Sequence, residues 1–380
     1  MRKTTATLCL AVLVIAGTSM GATINKWQGG TAGNWTDTAN WSTGVVPSPL
    51  QVDAVARFDD TGEGAVIDSA AADLYRLETG RRSASGVLSI NTGGSITIDQ
   101  FRTASDITGG TSSSTVDING GALTIHGGNH GIGYAGTGVV NLNSGSFTST
   151  DDIIVGRGGD TADGTLNMAG GTLTTVGNMT VGGRQIAEVD TGGVGAFNLS
   201  GGTAIIGSGS FLRVGNGGTG TMTVSGGSLT TEDFRIEGSA LFSAAATLTG
   251  GVVHAGEVLI GENATLNLFL AATLDTYTLM DFTADGKLVW EGDHTADVAG
   301  FAAAGTFAGS GGVVDIATLI DGVDYDQSIS TTEGFLLSKF DSGTGNTEVW
   351  TVVPEPATMG LFVTMGVGLF CFRRGSRRCR

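Results

Sequence analysis

Apolar and polar residues alternate through most of this chain, and the alternation turns about a repeated pair of glycines. The clearest copies are TLNMAGGTLTT from Thr165, AFNLSGGTAII from Ala196 and TMTVSGGSLTT from Thr221. Taking the second glycine as anchor gives seven copies, at Gly94, Gly121, Gly145, Gly171, Gly202, Gly227 and Gly251. Their spacings are 27, 24, 26, 31, 25 and 24 residues. A period in the twenties signals stacked supersecondary units, not a single globular core.

Each unit reads as β. Apolar side chains stand three and five residues before the anchor, as at Leu166 and Met168 or Met222 and Val224, and again two after it, as at Leu173 and Leu229. That is period-two alternation on both sides of a glycine turn. A third short strand follows, as in Met179–Val181 and 212–214, and a variable glycine-rich loop closes the unit. Three strands and three turns in about 25 residues predict one coil of a right-handed parallel β-helix, an all-β solenoid over residues 87–264. One coil cannot bury its apolar positions alone, but coils stacked at roughly 4.8 Å share a continuous thin core. The residue two before each anchor is small and mostly polar (Thr92, Asn119, Asn143, Ala169, Ser200, Ser225, Thr249). Stacking would align these as a hydrogen-bonding ladder; alternatively they only form turns.

The flanks differ from the repeat. Residues 22–86 form a tryptophan-rich N-terminal cap and the first coils, with three of the five tryptophans at Trp27, Trp35 and Trp41. An open solenoid needs such a cap to hide its core and strand edges. The other reading of these three rings is a glycan-stacking platform. From Thr265 the repeat fades, and residues 265–352 predict a C-terminal β cap or small β domain with one short helix over 297–304. Residues 1–21 read as a secretory signal peptide: Arg2 and Lys3, an apolar run over 8–16, then small residues before Ala22.

Composition sharpens this. Glycine is 65 of 380 residues, yet 40% are hydrophobic, so the chain is not a disordered glycine tract. All four prolines lie at two points, Pro47 with Pro49 and Pro354 with Pro356, which suits a long ladder whose N–H groups must pair. The net charge is −17. Setting aside seven basic residues at the two ends and Glu355 leaves 12 basic against 35 acidic groups, a net of about −23. That excludes a nucleic-acid partner, because phosphate contact needs a basic surface. The cysteines (Cys9, Cys371, Cys379) are confined to the two ends.

The C-terminus is more specific. Pro354, Glu355 and Pro356 precede an uncharged apolar run, 357–372, and then an arginine cluster containing Arg373, Arg374, Arg377 and Arg378. This order resembles the PEP-CTERM protein-sorting domain, also called the ice-binding protein C-terminal domain, across residues 353–380. The opening around the three tryptophans is similar to that of secreted bacterial β-solenoids with autotransporter-associated repeats. The sorting resemblance implies a Gram-negative-type bacterial export substrate, processed by an exosortase-type protease that recognises Pro354, Glu355 and Pro356. The precursor would sit in the inner membrane through a transmembrane helix over 357–372, with the arginines stopping transfer. The product would reach the cell surface or extracellular matrix. Independently, sixteen apolar residues are marginal for a span, and the arginines favour the cytoplasmic side.

No motif for chemistry stands out. His126 and His130 lie in a glycine loop, and Asp151 with Asp152 is the best acidic cluster, readable as solvated loop carboxylates. No cofactor, metal site or catalytic residue is expected. The leading reading is a non-enzymatic surface structural protein or adhesin that touches extracellular polysaccharide. A polysaccharide-binding protein, lyase or hydrolase is the alternative, and it requires charged groups gathered on one coil face. Ice binding is a third, suggested by the tail's other name and by pairs such as Thr174 and Thr175; the unequal loop lengths count against a flat face.

Overall fold

The computed structural model describes residues 22–352, apart from 49–53, 61, 72, 82–84, 106–111, 129, 184, 187–188, 191, 216, 276–277, 311–321 and 331–334. The signal peptide, the sorting motif, the apolar run and the arginine cluster lie outside the described residues. Among those described, no helix is long and apolar enough to cross a membrane.

The chain is a parallel β-solenoid of about ten turns. Each coil contributes a strand to three faces. The first face runs through Glu63–Ile67, Ser85–Asn91, Asp163–Met168, Val194–Leu199 and Ala264–Leu268. The second includes Thr172–Thr175 and Thr203–Ile206, and the third Val55–Arg57, Leu74–Thr79, Ile153–Val155, Met179–Val181 and Phe211–Gly215. Strand Thr219–Glu237 turns two corners unbroken and pairs in parallel with one strand of each face of the preceding coil. Parallel pairing begins with Ile24–Lys26 on Val55–Arg57 and continues to Phe307–Ser310.

Alternation makes the core. On the first face Leu88, Val116, Val140, Leu166, Phe197, Met222, Ala246, Leu266 and Leu288 occupy one inward row in register, all buried. Side-chain size varies along the row, from Phe197 and Met222 to Ala246. The anchor glycines stack as the repeat requires. Gly171, Gly202 and Gly227 have φ of +73°, +82° and +75°, and a Cβ on each would lie 2.6, 2.6 and 2.7 Å from the anchor carbonyl one coil earlier. Only glycine fits both the left-handed turn and that close approach. In the first two copies the partner glycine takes the turn instead, Gly93 at +86° and Gly120 at +93°. The ladder carries a local register shift at this corner, at Asn91, Asn119 and Ser225.

Both ends are covered. At the N-terminal end Trp27 meets Trp41 edge-on at 5.0 Å, Trp35 meets Trp41 at 4.7 Å, and Trp27 stacks on Phe58 at 5.7 Å. At the other end Lys287–Glu291 pairs antiparallel with Asn346–Val352, which pairs with Phe335–Asp341, which pairs with Gln327–Ser330. The change from parallel to antiparallel ends the stack. The helix spans Thr295–Ala303, two residues before the expected start; its N-cap is His294, and the preceding Asp293 carboxylate accepts the Thr295 N–H and hydroxyl.

Candidate functional site

Stacking brings together basic residues that the sequence scatters. On the third face, Lys26 pairs in register with Arg57, Arg57 with Glu78, and Glu78 with Arg102. Farther along, Arg213 is in register with Arg235. With Arg76, Arg81 and Arg157, eight of the twelve basic residues between the two ends stand on or beside this face. The condition that a polysaccharide site requires, charged groups on one coil face, is therefore met.

The denser cluster surrounds Glu78, whose side chain is 5% exposed. A buried carboxylate must be paired. Arg57 does this from two nitrogens, Nε and Nη2, each 2.8 Å from Oε2. Arg76, Arg81 and Arg102 also converge on Glu78, at 3.4, 3.7 and 3.9 Å. Arg76 donates its short bond, 2.7 Å from Nε, to the neutral Gln100 Oε1, and Gln100 Nε2 donates to Tyr75 Oη at 3.0 Å. Asp59 is held by Lys26 at 2.9 Å and by Arg57 at 3.7 Å. Burial pushes the Arg102 guanidinium below its usual range, and the nearby Arg76 charge adds to the effect. Arg102 lies over the Tyr134 ring at 4.6 Å and Arg157 at 5.5 Å.

Beside this cluster Arg157 donates to the His130 carbonyl at 2.7 Å. The His130 ring is buried, and neither nitrogen has a hydrogen-bond partner among the described residues. Burial lowers its pKa, so it is neutral at neutral pH. Asp151 and Asp152 are corner brackets: Asp151 Oδ1 accepts the Asp152 N–H, and Asp152 Oδ1 accepts the Asn178 N–H, both at 2.8 Å. Among the described residues no three His, Cys, Asp or Glu side chains gather as a metal site.

A second feature lies farther along the same face. A cavity of about 470 Å³ is lined by Phe211, Glu232, Asp233, Arg235, Glu257 and Thr278, with backbone of Gly209 and Gly256. The Phe211 ring sits under the Arg213 and Arg235 guanidiniums at 4.6 and 5.0 Å. Arg235 pairs with Asp233, which raises its pKa, and the Glu232 carboxylate accepts from the Gly209 N–H. Carboxylates and a guanidinium around one cavity can hydrogen-bond the hydroxyls of a sugar.

The glycan platform expected of Trp27, Trp35 and Trp41 is corrected. The three residues are 1%, 0% and 2% exposed. Their ring faces are spent on one another and on Phe58, and their indole N–H groups point inward: Trp41 Nε1 donates to the Trp35 carbonyl and Trp27 Nε1 to the Gly30 carbonyl. They close the end of the core.

The expected ladder two residues before the anchor is partial. Asn143 donates to Asn119 at 2.9 Å, but Ser200 and Thr249 bond to backbone carbonyls as turn residues do. A longer ladder stands four before the anchor, where Asn141 donates to Asp117, Asn167 to Asn141 and Asn198 to Asn167, at 2.7, 2.9 and 2.9 Å. The recurring Asn in LNM and FNL was its sequence signal. On the second face Ser95, Ala122, Ser146, Thr172, Thr203 and Ser228 stack in one outward column, and Thr97, Thr124, Thr148, Thr174, Ile205 and Thr230 in the next. The loop-length objection to a flat face does not hold here. The longest coil places its extra antiparallel pair, Gln185–Ile186 with Val189–Asp190, between the third and first faces. The columns are nonetheless mixed, broken by Ala122 and Ile205.

No protein-family model, curated protein or solved structure matches this chain.

Proposed function

We propose that this chain is an exported, non-enzymatic structural protein of a bacterial cell surface or extracellular matrix. The observation that carries the reading is the parallel ladder from residue 24 to residue 310, covered at both ends. About ten coils at roughly 4.8 Å make a rod on the order of 50 Å long, stiff because every coil is hydrogen-bonded to its neighbours. The right-handed sense of the coil belongs to this proposal, following the handedness of parallel β crossovers in general.

Delivery follows from the two ends of the sequence. Residues 1–21 act as the signal peptide, and 357–372 hold the precursor in the inner membrane. Arg373, Arg374, Arg377 and Arg378 stop transfer, and an exosortase-type protease cuts near Pro354, Glu355 and Pro356. The prolines keep that segment extended, where a protease can grip it. Intact-mass measurement of the surface-located protein from its native host tests this. A product ending near residue 355 supports sorting, and a mature form still carrying Arg380 refutes processing.

A second reading, a polysaccharide-binding or polysaccharide-cleaving protein, is favoured by the cavity beside Phe211, with three carboxylates and Arg235 on its walls. Sugar release from a polysaccharide panel that disappears in Asp233→Asn or Glu257→Gln would replace the structural reading with this one. Ice binding is the weaker reading, because the hydroxyl columns of the second face are mixed.

A further inference from the structure

The guanidiniums around Glu78 exceed what Glu78 needs. One buried carboxylate is neutralised by one well-placed guanidinium, and Arg57 supplies it through two 2.8 Å contacts. Arg76 and Arg81 nevertheless turn toward the same spot, at 3.4 and 3.7 Å, and Lys26 reaches Asp59 on the neighbouring coil. With Arg102 at 3.9 Å, five cations thus converge on two carboxylates among the described residues. Gathering like charges costs free energy, and the cost falls when an anion joins them. This happens in a body whose net charge is about −23, where basic residues are scarce.

The surplus cations are also the accessible ones. Lys26 is 44% exposed along its side chain, Arg81 26% and Arg76 22%, whereas Arg57 is 8% exposed. Arg76 and Arg81 stand together on one coil and Lys26 two coils before it, with the buried Arg57 between, so accessible positive charge recurs along the solenoid axis after roughly 9.6 Å, twice the 4.8 Å coil spacing. A linear polymer with one anion per sugar places every second anion at about that spacing; a single small anion would meet only one of the two coils. Gln100 and the Tyr75 hydroxyl lie beside Arg76 and supply neutral hydrogen-bonding groups for sugar hydroxyls.

We propose that the third face, at Lys26, Arg76 and Arg81, binds an acidic polysaccharide laid along the solenoid axis. The acidic remainder of the body repels the same polymer and confines it to this strip. The proposal deepens the matrix-protein reading and fails separately from it. Loss of glycan binding leaves surface delivery standing, and intact mass tests delivery alone.

The experiment is affinity electrophoresis of the full-length chain through gels containing polygalacturonate, dextran sulfate or neutral dextran. All proteins carry Gln at positions 373, 374, 377 and 378, so that the tail arginines do not answer for the body. The parent should be retarded by polygalacturonate and not by dextran, with retardation that falls as salt rises. The triple variant Lys26→Gln, Arg76→Gln, Arg81→Gln should bind at least about tenfold more weakly. Lys287→Gln with Lys339→Gln, which removes charges elsewhere, should change binding less than about twofold. If the triple variant proves unstable by circular dichroism, Arg81→Gln alone carries the test, with a loss of about two- to fivefold expected. Retardation by dextran sulfate alone assigns the site to sulfated polymers within the same acidic class. Equal retardation by neutral dextran, no retardation by either polyanion, or undiminished binding in the variants would overturn the proposal.

Discussion

Replacing Gly202 with alanine should destabilise the protein far more than replacing Gly209, although both glycines have left-handed backbones. Their φ values are +82° and +77°. Any L-residue there costs about 1–2 kcal/mol, part of which is returned by the stiffer unfolded chain. A Cβ at Gly209 meets nothing within 4 Å, so Gly209→Ala should cost about 1 kcal/mol. A Cβ at Gly202 would lie 2.6 Å from the Gly171 carbonyl oxygen. That atom is backbone, fixed by the Thr203 N–H donating to it at 3.0 Å, and cannot rotate away. Overpacking of this kind adds about 1–3 kcal/mol, for a total near 3 kcal/mol. The difference of about 2 kcal/mol is the part due to coil stacking. Equilibrium urea unfolding followed by far-ultraviolet circular dichroism measures both variants, with the slope checked for constancy. Losses equal within about 0.5 kcal/mol would refute the argument that the anchors are closed by their neighbours.

Further expectations follow from the same contacts. Asn167→Leu removes one donated and one accepted side-chain bond from the ladder and should cost about 1–2 kcal/mol, while Thr174→Ala on the outward second face should stay within about 0.5 kcal/mol in the same assay. Glu63 has its pKa raised to about 7, mainly by burial and then by the Asp60 and Asp59 charges, with backbone N–H bonds opposing. Its folded state prefers the protonated carboxyl, so this stability is complete below pH 4.5 and lost as pH rises through about 7. The rise corresponds to at most about 3 kcal/mol, which solvent screening reduces to about 1–2 kcal/mol. Glu63→Gln should therefore gain about that much over wild type at pH 8 relative to pH 4; an unchanged difference would sink the assignment. His130→Phe should hold its stability between pH 7 and pH 5 better than wild type, because the buried neutral imidazole of His130 must charge as pH falls. Thermal unfolding at the two pH values reads it, and an equal loss in both proteins would contradict the reasoning.

The repeat was legible because its signals are local. Alternation and a glycine pair decide which side chains face inward, and Leu166, Phe197 and Met222 sit in one row where the period puts them. What depends on which residues meet across coils was less legible. Arg57, Glu78 and Arg102 are separated by more than twenty residues of sequence, and no local pattern marks them as neighbours. Their scarcity argued against a charged face until stacking gathered them. Asn167 and Asn198 do carry a local mark, their common place four residues before the anchor. The tryptophans were ambiguous for another reason. An indole suits a sugar face and a core end equally well, and only burial separates the two.

The stacked-coil account is tested most directly by trapping its register. The body lacks cysteine, so Cys9, Cys371 and Cys379 can be replaced by serine and a pair introduced at will. Thr174 and Ile205 are register partners on the outward second face, thirty-one residues apart in sequence. Parallel neighbours lie about 4.8 Å apart, within the Cα range of a disulfide. Thr174→Cys with Ile205→Cys should oxidise to a single intramolecular disulfide, read as two lost hydrogens by intact mass and as protection from alkylation. Thr174→Cys with Ala204→Cys should not, because Ala204 faces the core. Oxidation of the second pair in preference to the first, or of neither, would contradict the register on which the core, the glycine column and the gathered cations all depend.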